Sequence, residues 1–332
     1  MKKGISIIVC CYNSALRLPE TIKHLALQEI DNNILWEVII IDNASTDDTS
    51  NIANIEWEKW NKNVEFRVLS ESRSGLSHAR KTGVNSAQFQ YIIFCDDDNW
   101  LDSNYVQLAF EIIDRNPEIG MLGGLGIPVS EIELPQWFEG KKNGYAVGSQ
   151  SSHNGEVEKD RLLWGAGVVL RTDVMLKIYD SNIDSLLVGR NGNQLSSGDD
   201  SELAIWHIIL GYKLWYDDRL IFHHFISKER LTENYVTNLF NGFVYSNQII
   251  DLYLRILEYQ TSVRRNGKVI ILLRSLFKIL FTKMHVVNFS AALPRLKENI
   301  QLTFNSKIVF NENLALVQKK VWNKLARINK GI

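Results

Sequence analysis

The run Tyr91-Ile92-Ile93-Phe94-Cys95-Asp96-Asp97-Asp98-Asn99-Trp100 decides the fold. Its apolar half is too short for a helix and reads as a buried strand, which ends abruptly in three adjacent carboxylates. Working back towards the N-terminus, Ile5 to Val9, Val38 to Ile41 and Val64 to Leu69 are equally short runs rich in Val, Ile and Phe. Segments with helical spacing separate them: Leu18, Ile22 and Leu25, then Ile52 to Trp60, then Leu76 to Val84. Strand alternating with helix predicts a doubly wound α/β domain, a mostly parallel sheet with helices on both faces.

In such a sheet ligands bind where loops and helix N-termini converge, at the carboxyl ends of the strands. The residues there are Cys10-Cys11-Tyr12-Asn13, Asp42-Asn43 and Asp96-Asp97-Asp98. Asn43-Ala44-Ser45-Thr46-Asp47 also offers oxygens to cap the second helix. No GxGxxG follows the first strand and no GxxxxGK[ST] occurs, so neither a dinucleotide fingerprint nor a P-loop is expected.

Working forward, Met121 to Trp164 reads as irregular, because Gly123-Gly124-Leu125-Gly126 and Pro128 break any helix. Lys141 to Gly155 reads as a mobile loop, of the kind that often serves as a lid or substrate loop. Gly165 to Arg171 is an apolar strand; a helix opens at Asp199-Asp200-Ser201-Glu202 and stops at Gly211. Lys213 to Tyr216 and Leu220 to Phe222 are two strands leading into His223-His224, and mainly helices follow from Tyr235.

The chain has 332 residues, 45% hydrophobic and 23% charged, with a formal net charge of −1. This is a globular composition, which excludes disordered and collagenous classes. The neutral total conceals a split: residues 1–250 carry 22 Lys+Arg against 34 Asp+Glu, and residues 251–332 carry 15 against 4. An acidic body with a basic tail implies different partners for each. Three cysteines, Cys10, Cys11 and Cys95, without CxxC spacing fit a reducing cytosol rather than a disulfide framework. Met1-Lys2-Lys3 before Ile5 to Cys11 imitates a signal peptide but lacks a small-residue cleavage site and reads as a strand.

Three adjacent aspartates raise one another's pKa, a cost that a divalent cation relieves, and all-oxygen ligands favour Mg²⁺ or Mn²⁺. The alternative is a solvated acidic turn capping the next helix. Asp199 and Asp200 complement a helix macrodipole, or one of them serves as a general base. His223 and His224 are metal ligands or ordinary core and surface residues, and strand alternation lets one of them face the rim. Trp100, Trp137 and Trp164 offer stacking surfaces or simply pack.

Four strings, Ile7-Ile8-Val9-Cys10-Cys11-Tyr12-Asn13, Val38-Ile39-Ile40-Ile41-Asp42-Asn43-Ala44-Ser45-Thr46-Asp47, Phe94-Cys95-Asp96-Asp97-Asp98 and Gly198-Asp199-Asp200-Ser201-Glu202-Leu203, together resemble family 2 glycosyltransferases of the GT-A fold. The match in order and spacing extends over about residues 4–230. Cys10-Cys11 stands where Pro, Thr or Ser is commoner, and Asp199 where Glu is more usual. The resemblance implies inverting transfer from a nucleoside-diphosphate sugar, with uridine favoured. It implies a nucleobase held by Cys10, Tyr12 and Asp42, with Arg73, or alternatively Arg80, approaching the nucleotide. Asp96 and Asp97 would belong to the donor site, the middle aspartate near the ribose, and Asp98 would bind the metal. Asp200 would be the base, with Asp199 beside it, and His224, or His223 if the alignment slips by one, would complete the metal site.

The expected organisation is a GT-A catalytic domain over 1–230, nucleotide-binding to about 120 and acceptor-binding from about 121, followed by a helical basic region over 231–332. Within the latter, Val269 to Val287 is apolar but carries Arg274 and Lys278, with Arg264, Arg265 and Lys268 before it. That pattern suits a helix lying on an anionic membrane rather than spanning it. The expected protein is thus a cytoplasmic enzyme, peripheral on the inner face of the plasma membrane. Its acceptor would be a glycan or lipid-linked saccharide of cell-surface polysaccharide synthesis, and nucleic acid is not an expected partner. The competing readings are a catalytically silent scaffold of a glycan pathway and a sugar-phosphate nucleotidyltransferase. The latter wants a glycine-rich loop after the first strand, and Cys10 to Arg17 contains no glycine.

Overall fold

The structure, a computed structural model, describes residues 1–180, 185–187, 189, 197–266, 271, 289–304 and 316–321. The chain forms two compact units, Met1–Ser246 and Asn247–Ile332. In the first, β1 (Lys2–Cys11), β2 (Trp36–Asn43), β3 (Glu65–Glu71) and β4 (Phe89–Asp96) alternate with α1 (Leu18–Ala26), α2 (Thr49–Glu58) and α3 (Leu76–Ser86). Then come β5 (Asn99–Leu101), α4 (Tyr105–Arg115), β6 (Ile119–Ser130), β7 (Gly155–Glu156), β8 (Val169–Arg171), α5 (Thr172–Asp180), α6 (Asp199–Ile209), β9 (Lys213–Ile226) and α7 (Glu233–Asn266).

The strands form one sheet in the order β3-β2-β1-β4-β8-β6-β9-β5, with β7 beside β9. Pairings among β1 to β4 and between β6 and β9 are parallel, while β8, β5 and β7 run against their neighbours. Strand alternation divides the core. Ile5, Ile7 and Val9 pack with Leu18, Ile22, Trp57, Val106 and Phe110 of α1, α2 and α4 on one side. Ile8 faces α3 on the other, where a Cβ on Gly83 would lie 2.4 Å from its Cγ2.

The first four strands extend past the expected runs because flanking polar residues join the ladder. Four expectations further along are corrected. Residues 119–130, read as irregular, form a twelve-residue strand. Its glycines permit close backbone approach: a Cβ on Gly124 would lie 2.0 Å from the Leu220 carbonyl oxygen, and one on Gly126 would lie 2.1 Å from that of Ala146. Lys141 to Gly155, read as a mobile loop, contains a 3₁₀ turn, Lys142–Tyr145, and the buried side chains of Tyr145 and Val147. These pack with Phe138, Ile226, Leu231, Val236 and Leu239, which anchors the stretch. The two strands expected over 213–222 are one strand, β9, continuing to Ile226. The strand expected over 165–171 is shorter, Val169–Arg171.

At the amino-terminal edge, away from the ligand rim, Glu37 is fully buried and accepts hydrogen bonds from Ser6 Oγ (2.7 Å), the Gln88 amide (2.8 Å) and Arg67. Substituting Glu37→Ala strands these donors, so denaturant unfolding should show a loss of about 3 kcal/mol. A loss below about 1 kcal/mol would mean that water replaces the carboxylate.

In the second unit the helix Phe289–Phe304 is described, and Arg255 pairs with Glu298 and Arg295 with Glu258. Arg264 and Arg265 fall in α7, whereas Lys268, Arg274, Lys278 and nearly all of 269–287 lie outside the described residues. Among the described residues no helix is long and apolar enough to cross a membrane.

Candidate active site

Parallel register brings the ends of four strands to one rim: Cys10 lies opposite Ile41 and Asp96, Cys11 opposite Asp42, and Asn43 opposite Glu71. Cys10 is buried enough that its thiol is pushed up to about 12, so it is a neutral contact. Tyr12 is half exposed at the tip. Asn13 takes a left-handed conformation (φ 50°) and bonds Ser45 and Thr46, tying the first loop to the second. Asp42 accepts hydrogen bonds from the Ser45 amide (3.2 Å) and Ser50 Oγ.

The carboxylates at this rim are distributed among separate arginines. Asp97 accepts from Arg17 Nη2 (2.6 Å) and from Ser14 Oγ, which fastens the β4–β5 turn to the entrance of α1. Burial, and then the Asp98 charge, raise its pKa. Asp199 accepts from Arg80 Nη1 at 2.7 Å. Arg80 is buried, and although burial opposes its charge, the carboxylates of Asp199 and Asp96 hold its pKa above the usual value. Its guanidinium also lies 5.0 Å from the centre of the Phe94 ring. Arg80 therefore joins the β1/β4 edge to the start of α6. Arg73 is placed differently: it is exposed and forms a two-point pair with Glu71, at 3.0 and 2.8 Å.

Asp200 stands in the first turn of α6, where Gly198 (φ 99°) turns the chain into the helix. Its Oδ2 accepts from the Gly165 amide (3.0 Å) and its Oδ1 from the Ser201 amide (2.7 Å). Burial, reinforced by the Asp199 charge, pushes Asp200 up to about 6 against the pull of Arg80. A carboxylate poised there exchanges protons near neutral pH. Glu202 is directed elsewhere and clasps the amides of Leu186 (3.1 Å) and Leu187 (2.9 Å).

The third cluster forms because β5 pairs antiparallel with β9, setting Asn99 opposite His224. Asp98 Oδ2 then lies 3.5 Å from His224 Nε2 and accepts from Arg230 Nη1 at 2.9 Å. His224 Nδ1 lies 2.6 Å from the Tyr145 carbonyl, which assigns the proton to Nδ1 and leaves the Nε2 lone pair facing Asp98. His223 points the other way, to Asp102 at 3.0 Å, as strand alternation requires. Trp100 stacks between His24 and Phe225, Trp137 packs against Phe138, and the Trp164 amide bonds Gln150.

A carboxylate and a neutral imidazole directed at one point fit a divalent cation that takes its other ligands from phosphate and water. Among the described residues no group of three or more His, Cys, Asp or Glu is arranged to hold a metal alone. Four residues without a marking motif, Arg230, Tyr145, Gly165 and Glu71, complete these clusters. The only advance signal was the position of Gly165 beside an expected strand.

A family model described as Glycosyl transferase family 2 matches residues 6–163. A cholesterol galactosyltransferase of Borreliella burgdorferi is 33% identical over 110 residues, 33% of this chain and 29% of that protein. A poly-beta-1,6-N-acetyl-D-glucosamine synthase of Staphylococcus epidermidis is 27% identical over 123 residues, 37% of this chain and 28% of that protein. The matched stretch thus spans less than a third of either relative. Among solved structures, S. aureus TarS 1-349 in complex with UDP-GlcNAc aligns with a TM-score of 0.53 at 18% identity, covering 99% of this chain and 92% of that one. A mannosyltransferase from Pyrobaculum calidifontis in complex with GDP-Man and Mn²⁺ aligns at 0.52 and 12% identity, covering 99% and 88%. The fold is thereby that of GT-A glycosyltransferases, a mostly parallel α/β sheet between helices.

Proposed function

We propose that this chain is an inverting, metal-dependent glycosyltransferase that moves a sugar from a nucleoside-diphosphate sugar, with uridine as the base, to a hydroxyl of a glycan or lipid-linked saccharide. The observation that carries this reading is Asp200, a half-buried carboxyl pushed up to about 6 and held on α6 by two amides. The family model over residues 6–163 and the UDP-GlcNAc and GDP-Man complexes of the two structural neighbours support the donor class. The two curated relatives, named for galactosyl transfer to cholesterol and for synthesis of an N-acetylglucosamine polymer, support a lipid or glycan acceptor.

In this mechanism Cys10, Tyr12 and Asp42 bind the nucleoside, Asp96 and Asp97 line the donor site, and Asp98 and His224 would hold Mn²⁺ or Mg²⁺. Bound there, the cation supplies Lewis-acid neutralisation of the leaving diphosphate. Asp200 removes the proton of the acceptor hydroxyl as its oxygen attacks the anomeric carbon from the face opposite the diphosphate, which inverts that centre. Asp199, fixed by Arg80, stands beside Asp200 at the start of α6.

The reading is tested by thermal-shift titration with nucleoside diphosphates and sugar nucleotides, with and without Mn²⁺. Stabilisation by one nucleotide that requires the metal and is lost in Asp98→Ala supports it; no stabilisation by any nucleotide refutes it. Because the base must be ionised, transfer should rise as pH passes through about 6 and level off above it. A profile flat from pH 5 to 8 would remove Asp200 from the role. The basic segment is proposed to place the enzyme on the inner membrane face. Neutralising Arg264, Arg265, Lys268, Arg274 and Lys278 should then abolish binding to anionic liposomes.

A further inference from the structure

Arg230 is a charged group at the rim that neither sequence motifs nor the mechanism above uses. It lies in the 3₁₀ turn Lys228–Leu231 that follows β9, and its side chain is 13% exposed. Nη1 donates to Asp98 Oδ2 at 2.9 Å and lies 3.3 Å from His224 Nε2, the two atoms assigned above to a divalent cation. The guanidinium is also held independently of Asp98. Its carbon lies 5.8 Å from the centre of the Tyr145 ring and 5.9 Å from that of Tyr235, and Tyr145 Oη donates to the Arg230 carbonyl at 2.8 Å. Arg230 Nε is buried and has no hydrogen-bond partner. The Tyr145 carbonyl, on the same residue, fixes His224.

The charges make this arrangement consequential. Asp98 and a neutral His224 carry one negative charge, which Arg230 balances. A divalent cation added beside an unmoved guanidinium would set three positive charges against one negative in a site largely removed from water, which is strongly unfavourable. The cation must displace Arg230 from Asp98, or arrive with the negative charge of a diphosphate.

We propose that Arg230 is an internal counter-ion that competes with the divalent metal for Asp98 and His224, so that the metal binds weakly alone and tightly together with a nucleoside diphosphate. The proposal rests on the metal-site reading of Asp98 and His224. Lying beside the adjacent rings of Tyr145 and Tyr235, the displaced guanidinium retains a favourable position, which lets the exchange occur without unfolding the turn. If Asp98 is paired with Arg230 about ten times more often than not, the apparent metal affinity falls about tenfold.

The experiment measures Mn²⁺ binding to the full chain by electron paramagnetic resonance of the free ion, with Mn²⁺ alone and then with UDP. Wild type, Arg230→Met, Arg230→Lys and Asp98→Ala are compared, with circular dichroism as the folding control. The expected result is about tenfold tighter binding of Mn²⁺ alone in Arg230→Met, with a smaller further gain from UDP than in wild type. Arg230→Lys, which keeps the charge, should resemble wild type, and Arg230→Gln reads the same quantity should the Met variant fail to fold. Unchanged or weaker Mn²⁺ binding in folded Arg230→Met overturns the competition while leaving the metal site standing, as does Arg230→Lys behaving like Arg230→Met. Retention of wild-type Mn²⁺ binding by Asp98→Ala overturns the metal-site reading itself, and the proposal with it.

Discussion

Replacing Asp200 with asparagine should lower sugar transfer by about 10²- to 10⁴-fold while donor binding and the fold persist, the range expected for loss of a general base. The variant preserves shape but cannot accept the proton of an acceptor hydroxyl. It also has an opposite effect on stability. Asp200 is pushed from 3.8 to about 6 by burial and the Asp199 charge, so its ionised form is held against its preference. A carboxyl raised in the folded state contributes stability below its unfolded value and loses it as pH climbs through the folded value. The difference in melting temperature between Asp200→Asn and wild type should therefore be more favourable to the variant at pH 8 than at pH 3.5, offset at both by the one backbone amide that the new NH2 cannot accept from, a comparison that scanning calorimetry makes directly. Near-normal transfer by a folded Asp200→Asn, measured with the donor found by titration, would assign the base elsewhere.

Arg80→Met should give a large stability loss, about 3–5 kcal/mol, because it leaves the Asp199 carboxylate facing a buried site without its cation. The pair has little access to water, with Arg80 8% and Asp199 22% exposed at the side chain. For a unit of this size the loss corresponds to a fall of roughly 10 °C in melting temperature. The double variant Arg80→Met with Asp199→Leu removes the stranded charge and should recover part of the loss, a coupling that a double-mutant cycle measures. Additive losses would show that Arg80 acts through Phe94 and Asp96 rather than through Asp199.

The first hundred residues were legible because each strand there is a short apolar run between helical segments, and the parallel register follows from that order. Cys10, Asp42 and Asp96 could be placed on one rim from strand ends alone. β6 was not legible, since Gly124 and Gly126 look like breakers until the carbonyls of Leu220 and Ala146 are seen against them. β9 was legible in part, since its pairing with β6 shifts register between Tyr216 and Ile221, around Asp217-Asp218-Arg219, where Arg219 and Asp217 satisfy one another at 2.8 Å. Arg230 and Tyr145 were not legible at all. Their importance arises from meeting Asp98 and His224 across 132 and 79 residues of chain, and no local pattern encodes such distances.

The continuity of β9 has a consequence for how this protein can change over time. The helix bearing Asp200 is followed after a tight turn at Gly211 by the strand bearing His224, so no long connection separates the two. Point substitutions at the outward positions of this strand leave that spacing intact. A single-codon insertion between Leu220 and His223 would slip the strand by one residue and set His223 opposite Asn99 in the place of His224, and a deletion there would set Phe225 in that place. Lineages of this sequence should thus accumulate replacements in β9 freely but gain or lose length there almost never, and their length variation should fall in the connections instead.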